Sequence, residues 1–270
     1  MNPRTCLCRP PLVLLAALVL SPPGQAGQPL ETETARLPPA GAVEFESTVE
    51  YQTSPDGKEF ALPFALTYGI TDRLEFLLEP VIYTRIMPDV GTTESGIGDI
   101  ESTLTYRLND ETDHLPAFAI AAEVKIPTAS NDVIGTGKTD YAAYAIASKR
   151  FGDWDVHLNV NYTFLGEPSG ASVSNTYGGA IAFEYHASPD WDFVGEYIST
   201  SSSTGEGGDE GGVTPPPGDG GSASEAAGGE SFAMLGLRYR IRPNAQFAFG
   251  VSYDNNSAWL IRPGITIKFR

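Results

Sequence analysis

Three histidines, His114, His157 and His186, are the first residues to consider for chemistry in this chain. A zinc centre would need imidazoles, thiolates or carboxylates converging on one point. The histidines are far apart in sequence, and Cys6 and Cys8, the only cysteines, both precede an apolar run near the amino terminus. No metal site is expected. Serine hydrolysis would need Ser, His and a carboxylate or amide to meet at a mouth. No Gly-x-Ser-x-Gly occurs, and the strand parity described below turns His157 and His186 away from any lipid-facing mouth. The run Gly135-Thr136-Gly137-Lys138 lacks the spacing of a phosphate loop and no helix follows it. Glu206, Asp209, Glu210 and Asp219 hint at calcium, but their spacing fits neither an EF-hand nor a nonapeptide repeat. The chain is therefore not expected to be an enzyme or to carry a cofactor.

What remains is charge on a regular scaffold. Residues 1–26 read as a signal peptide: Arg4 and Arg9, then the apolar core Leu12–Leu20, then small residues at Gly24 and Ala26. That core is too short to persist as a spanning helix. The chain carries 17 basic and 34 acidic residues, or 15 and 34 without Arg4 and Arg9. Such a balance excludes nucleic acid binding through a basic face and suits cations. With both cysteines in the leader, no disulfide scaffold is available.

The rest alternates with period two. Residues 154–164, WDVHLNVNYTF, set Trp154, Val156, Leu158, Val160, Tyr162 and Phe164 against Asp155, His157, Asn159, Asn161 and Thr163. A soluble sandwich with its apolar face inward and a membrane barrel with its apolar face outward produce the same pattern inverted. About twelve such segments recur, near 42–52, 59–70, 73–83, 98–108, 116–126, 139–149, 154–164, 176–186, 191–199, 231–241, 245–253 and 258–269. Most have the length of a tilted bilayer-crossing strand.

Three features favour the membrane. The connections alternate in length: 71–72, 109–115, 151–153, 187–190 and 242–244 are short, whereas 84–97, 127–138, 165–175 and 200–230 are long. That parity matches short periplasmic turns and longer extracellular loops, and a Greek-key sandwich has no cause to sort its loops so. Trp154, Trp191 and Trp259 all fall at strand ends, where a bilayer interface would place them. A twelve-stranded barrel is also too wide for side chains to fill, so charges can line a wet interior.

The expected fold is an all-β transmembrane antiparallel β-barrel spanning 42–270, with a flexible segment at 27–41 and a disordered acidic loop at 200–230. Its polar face would line a pore with Glu44, Glu46, Glu75, Glu79, Asp99, Glu101, Arg107, Glu123, Lys125, His157, Glu184, Arg238, Arg240, Arg262 and Lys268. Arg262, Lys268 and Arg270 on the last strand would meet Glu44, Glu46 and Glu50 on the first, fixing the register of closure. Membrane lipid, a small-molecule solute and the outer-membrane assembly machinery are the expected partners, in a monomeric or weakly oligomeric barrel.

The stretches YGITDRLEF (68–76), GIGDIESTLTYRL (96–108), VKIPTASND (124–132), residues 135–166 and LGLRYRIRPNAQFAFGVSY (235–253) carry a resemblance. In order and spacing the chain resembles the outer-membrane transporters named for the meta-pathway of phenol degradation. The resemblance implies a barrel in the outer membrane that passes small, often aromatic or hydrophobic compounds. Two departures stand out. The long acidic loop is not part of that pattern, and Arg270 follows Phe269 where such chains usually end on the aromatic residue. The rival reading is a structural or adhesive barrel with a plugged lumen and a loop-borne binding surface.

Overall fold

The computed structural model of the protein describes residues 27–167, 173–203 and 229–269. The expected signal peptide and most of the expected disordered loop, 204–228, lie outside them.

Fourteen strands form one antiparallel sheet: β1 (Val43–Thr48), β2 (Glu50–Ser54), β3 (Gly57–Thr71), β4 (Leu74–Pro88), β5 (Glu94–Gly96), β6 (Ile100–Asn109), β7 (Ala117–Ile126), β8 (Asp140–Phe151), β9 (Trp154–Phe164), β10 (Thr176–His186), β11 (Trp191–Thr200), β12 (Ser231–Arg242), β13 (Ala245–Asp254) and β14 (Trp259–Phe269). β1 and β2 keep one register against both β3 and β14, and β5 and β6 keep one against β4. Each pair is a single stave, so the wall has twelve staves. Pairing of β1 with β14, from Val43 opposite Phe269 to Thr48 opposite Gly264, closes the barrel and leaves no sheet edge among the described residues. The break at Val49 has a chemical cause. Its neighbours there include Pro63 and Pro263, which have no N–H to give the ladder. The Val49 N–H still reaches the Pro263 carbonyl at 2.9 Å.

Both ends of the sheet and the short turns gather at one rim, which is the periplasmic one. At Phe151–Trp154 the turn needs a positive φ, and Gly152 supplies it at 62°. On the other rim the expected loop at 84–97 is shorter than its sequence suggested. β4 continues to Pro88 and pairs Thr84–Ile86 with Glu94–Gly96, carrying the sheet beyond the bilayer.

β9 shows which way the alternation points. Leu158, Val160 and Phe164 are 49, 61 and 53 % exposed, while Asp155 and His157 are fully buried and Thr163 nearly so. The apolar face looks outward into lipid and the polar face inward. Aromatic residues pair directly across strands at both rims: Trp154 with Tyr185 and Trp191 with Tyr239 at 4.7 Å, and Tyr253 with Trp259 at 4.8 Å. These are interface girdles, with rings in hydrocarbon and polar atoms at the headgroups. Replacing Leu158 with Arg should cost about 2–4 kcal/mol of folding stability in vesicles, because the charge would sit near mid-strand in the acyl region. Urea unfolding from liposomes checks this. A cost near zero would mean that Leu158 does not face lipid.

Residues 27–42 are the main departure from expectation. The sequence has no strand periodicity here, and a flexible tether is the natural reading. In the structure the segment climbs into the lumen, turns back and reaches β1 at the periplasmic rim. It is held along its length. Glu31 and Thr32 N–H groups bond to Glu196, the Glu33 N–H bonds to Asn159, and the Ala35 N–H bonds to Ser148. The few buried apolar clusters are its seats: Leu30 packs with Ala182, Val194 and Met234, and Ala35 with Ala117, Ala119, Ala121 and Ile146. The wall is small there, chiefly alanine, so a backbone can pass between opposite staves.

Candidate functional site in the barrel lumen

The lumen is built from the inward face of every stave plus the segment that fills it. Between the two lies a cavity of about 160 Å³. Of the fifteen residues expected to line a pore, Glu44, Glu46, Glu75, Glu79, Glu101, Glu123 and Arg262 line this cavity. Glu31, Glu33, Glu50, Arg36, Asn159 and Asn161 line it too and were not among those expected. Five of the six could have been found only by knowing the path of residues 27–42 or by reading amides as lumen residues; Glu50 was already visible in the seam.

The other expected residues are placed elsewhere. Asp99 and Lys125 form a buried group toward the extracellular side, where Lys125 bonds Asp140 at 2.7 Å and lies 3.9 Å from Asp99. Asp99 also accepts the N–H groups of Thr128 and Ala129, pinning the 127–138 loop over the wall. Arg107 and Arg240 lie at the periplasmic rim, bonded to the Asp72 and Pro189 carbonyls of the turns. Part of the expected seam is seen: Lys268 meets Glu44 at 3.0 Å and Arg262 meets Glu50 at 2.7 Å, Glu46 accepts from the Thr266 hydroxyl instead of a cation, and Arg270 lies outside the described residues.

His157, Glu184 and Arg238 share a fully buried cluster. The Ser148 hydroxyl is 2.8 Å from His157 Nδ1, His157 Nε2 is 3.4 Å from Glu184, and Arg238 bonds Glu184 at 2.7 Å. Ser, His and carboxylate thus meet, as a hydrolase would require. Yet Ser148 is sealed: its oxygen accepts the Ala35 N–H at 2.9 Å and lies 3.2 Å from Thr34 Oγ1. The group is a mooring for the lumen segment. Arg238 adds to it by donating to the Gly27 and Gln28 carbonyls.

A second mooring surrounds Asp155. This fully buried carboxylate receives Arg36 at 2.9 Å, His186 at 2.8 Å and the Arg150 guanidinium. Asp155, Glu184 and His186 bring three ligand atoms within 4.8 Å of one another, but Arg36 and Arg150 already supply the positive charge. Arg36 also bonds Glu111 in the β6–β7 turn at 2.7 Å. Partial burial alone would raise the Glu111 pKa; the Arg36 hydrogen bond, with the Arg150 N–H and Lys149, outweighs it and holds the carboxyl below its ordinary range. A depressed carboxyl stabilises above its unfolded pKa, so this part of the latch persists at neutral pH and weakens as pH falls through the lowered value.

A closed twelve-stave barrel with lipid outside, aromatic girdles and a charged interior defines an outer-membrane β-barrel. Solved structures of that class superpose on it. An outer membrane channel from Pseudomonas putida F1 is 16 % identical, covering 87 % of this chain and 98 % of its own, with a TM-score of 0.63. The NanC porin is 14 % identical, covering 83 % and 100 %, with a TM-score of 0.57. The KdgM porin, solved in complex with disordered oligogalacturonate, is 11 % identical, covering 84 % and 99 %, with a TM-score of 0.54. The chain belongs to the family described as the MetA-pathway of phenol degradation, whose model matches residues 26–269. No curated protein sequence matches it.

Proposed function

We propose that the protein admits small solutes passively across the outer membrane, with aromatic compounds within its range. The observation that carries this reading is the cavity retained between the wall and the lumen segment. Its volume, about 160 Å³, is close to that of an engineered cavity of about 150 Å³ that holds benzene. Leu77, Val81, Tyr144 and Ile198 give it apolar surface beside the carboxylates. Family membership supports a link to aromatic compounds. The expected pore-lining residues enter the proposal in two groups: those at the cavity select the solute, and the buried ion pairs hold the segment that narrows the path.

Liposome swelling with purified protein tests it. Arabinose, glycine or benzoate should enter faster than into protein-free vesicles, and no flux for any of them would reject the channel. The specific observation favouring a second reading, a sealed structural or adhesive barrel, is the series of hydrogen bonds fixing residues 27–36 in the lumen. That reading predicts no flux and no change on shortening the loop at 204–228 except in partner binding.

A further inference from the structure

We propose that the lumen cavity is a binding site for a small organic ammonium ion, an amine carried on an apolar or aromatic body. The proposal rests on the channel reading and names its solute class. Nine glutamates line the cavity against two arginines. Both arginines are already matched: Arg262 sits between Glu31 and Glu50, and Arg36 between Asp155 and Glu111. Lys268 is taken by Glu44. Glu33, Glu46, Glu75 and Glu79 make no ion pair with any cation among the described residues, so the cavity holds more carboxyl groups than cations to meet them.

Two further groups point to a donor-bearing guest. Thr48 lines the cavity, is 2 % exposed, and its hydroxyl has no hydrogen-bond partner among the described residues. The amide oxygen of Gln28, also on the cavity wall, is buried without a partner as well. Both can accept, and an ammonium brings N–H donors and no acceptor.

The spacing favours an organic cation over a bare metal ion. A divalent ion needs oxygens converging at 2.0–2.6 Å. Among the described residues only Asp155, Glu184 and His186 bring three ligand atoms within 4.8 Å, and protein guanidiniums occupy that place. The cavity carboxylates are instead dispersed around apolar walls. Tyr144 offers ring surface that suits a cation or an aromatic body.

Calorimetry on the full-length protein in detergent, with benzylammonium, benzyl alcohol and benzoate as matched probes, tests the site. Benzylammonium should bind roughly tenfold more tightly than benzyl alcohol, with benzoate weakest, and added salt should narrow the gap. Glu79→Gln and, independently, Thr48→Val should each weaken benzylammonium about threefold to tenfold and leave benzyl alcohol nearly unchanged. Retained heat-modifiable mobility on gels shows that each variant is folded, and Glu46→Gln substitutes for one that is not. Equal binding of the ammonium and the alcohol, or wild-type binding in these variants, would overturn the site. Calorimetry requires no flux. A barrel that binds benzylammonium but passes nothing keeps the site and sinks the channel; one that passes solutes without ammonium preference does the reverse.

Discussion

Deleting residues 28–36 should raise the single-channel conductance of the reconstituted protein by about an order of magnitude, because a barrel of twelve staves is too wide for wall side chains alone to fill. The segment crosses the lumen at mid-height, where Glu31 reaches Arg262 and Thr32 reaches Glu196, and it leaves by way of Arg36 at the periplasmic rim. The wall should survive the loss. Closure depends on the ladder between β1 and β14, which the deletion does not touch. Asp155, Arg238 and Arg262 would lose partners, but water entering the vacated space would solvate them. Planar-bilayer recording makes the measurement, with the β-sheet signature in circular dichroism as the check on folding. Unchanged conductance in a folded variant would mean that the segment does not limit the path. Arg36→Ala should give a smaller, flickering increase, since it frees one end only.

Asp155→Ala should lower folding stability by about 3–5 kcal/mol, the range for stripping one partner from a buried ionic cluster. Asp155 is fully buried on the inner face of β9 and compensates Arg36, Arg150 and His186. Without it two guanidiniums and an imidazole crowd together, with Glu111 and Asp192 left to balance them. Asp155→Asn keeps the shape and loses the charge, so an intermediate loss is expected. The urea midpoint in liposomes reports both. A loss below about 1 kcal/mol would show the cluster to be wet and screened, as exposed pairs are.

The wall was legible in the sequence because lipid and water impose a period of two. Each of the twelve predicted segments has its stave, and the rule holds residue by residue along β9. The seam was legible because Arg262 and Lys268 have few acidic counterparts that strand parity allows, and Glu50 and Glu44 are the ones they meet. Less was legible of the site. Residues 27–42 have no periodicity, and several of their contacts are to positions more than a hundred residues away, such as Asn159 and Glu196. The polar face marks which residues look inward but not which will meet water. Glu79 and Glu123 line a cavity; His157 and Glu184, on the same kind of face, are sealed under that segment. A proline opposite a strand announces a missing donor, yet the break at Val49 needed Pro63 and Pro263 brought together from two neighbours.

The lumen segment also carries information about the order of assembly. It is made before any stave, yet Leu30 seats against Val194 and Met234, Arg262 clasps Glu31, and all three come from the later half of the chain. The earliest-made piece must therefore wait for the last, staying extended while the sheet curls shut around it. Threading completes maturation, so a chain stalled before β14 would leave its leading end unclaimed and open to proteases in the periplasm.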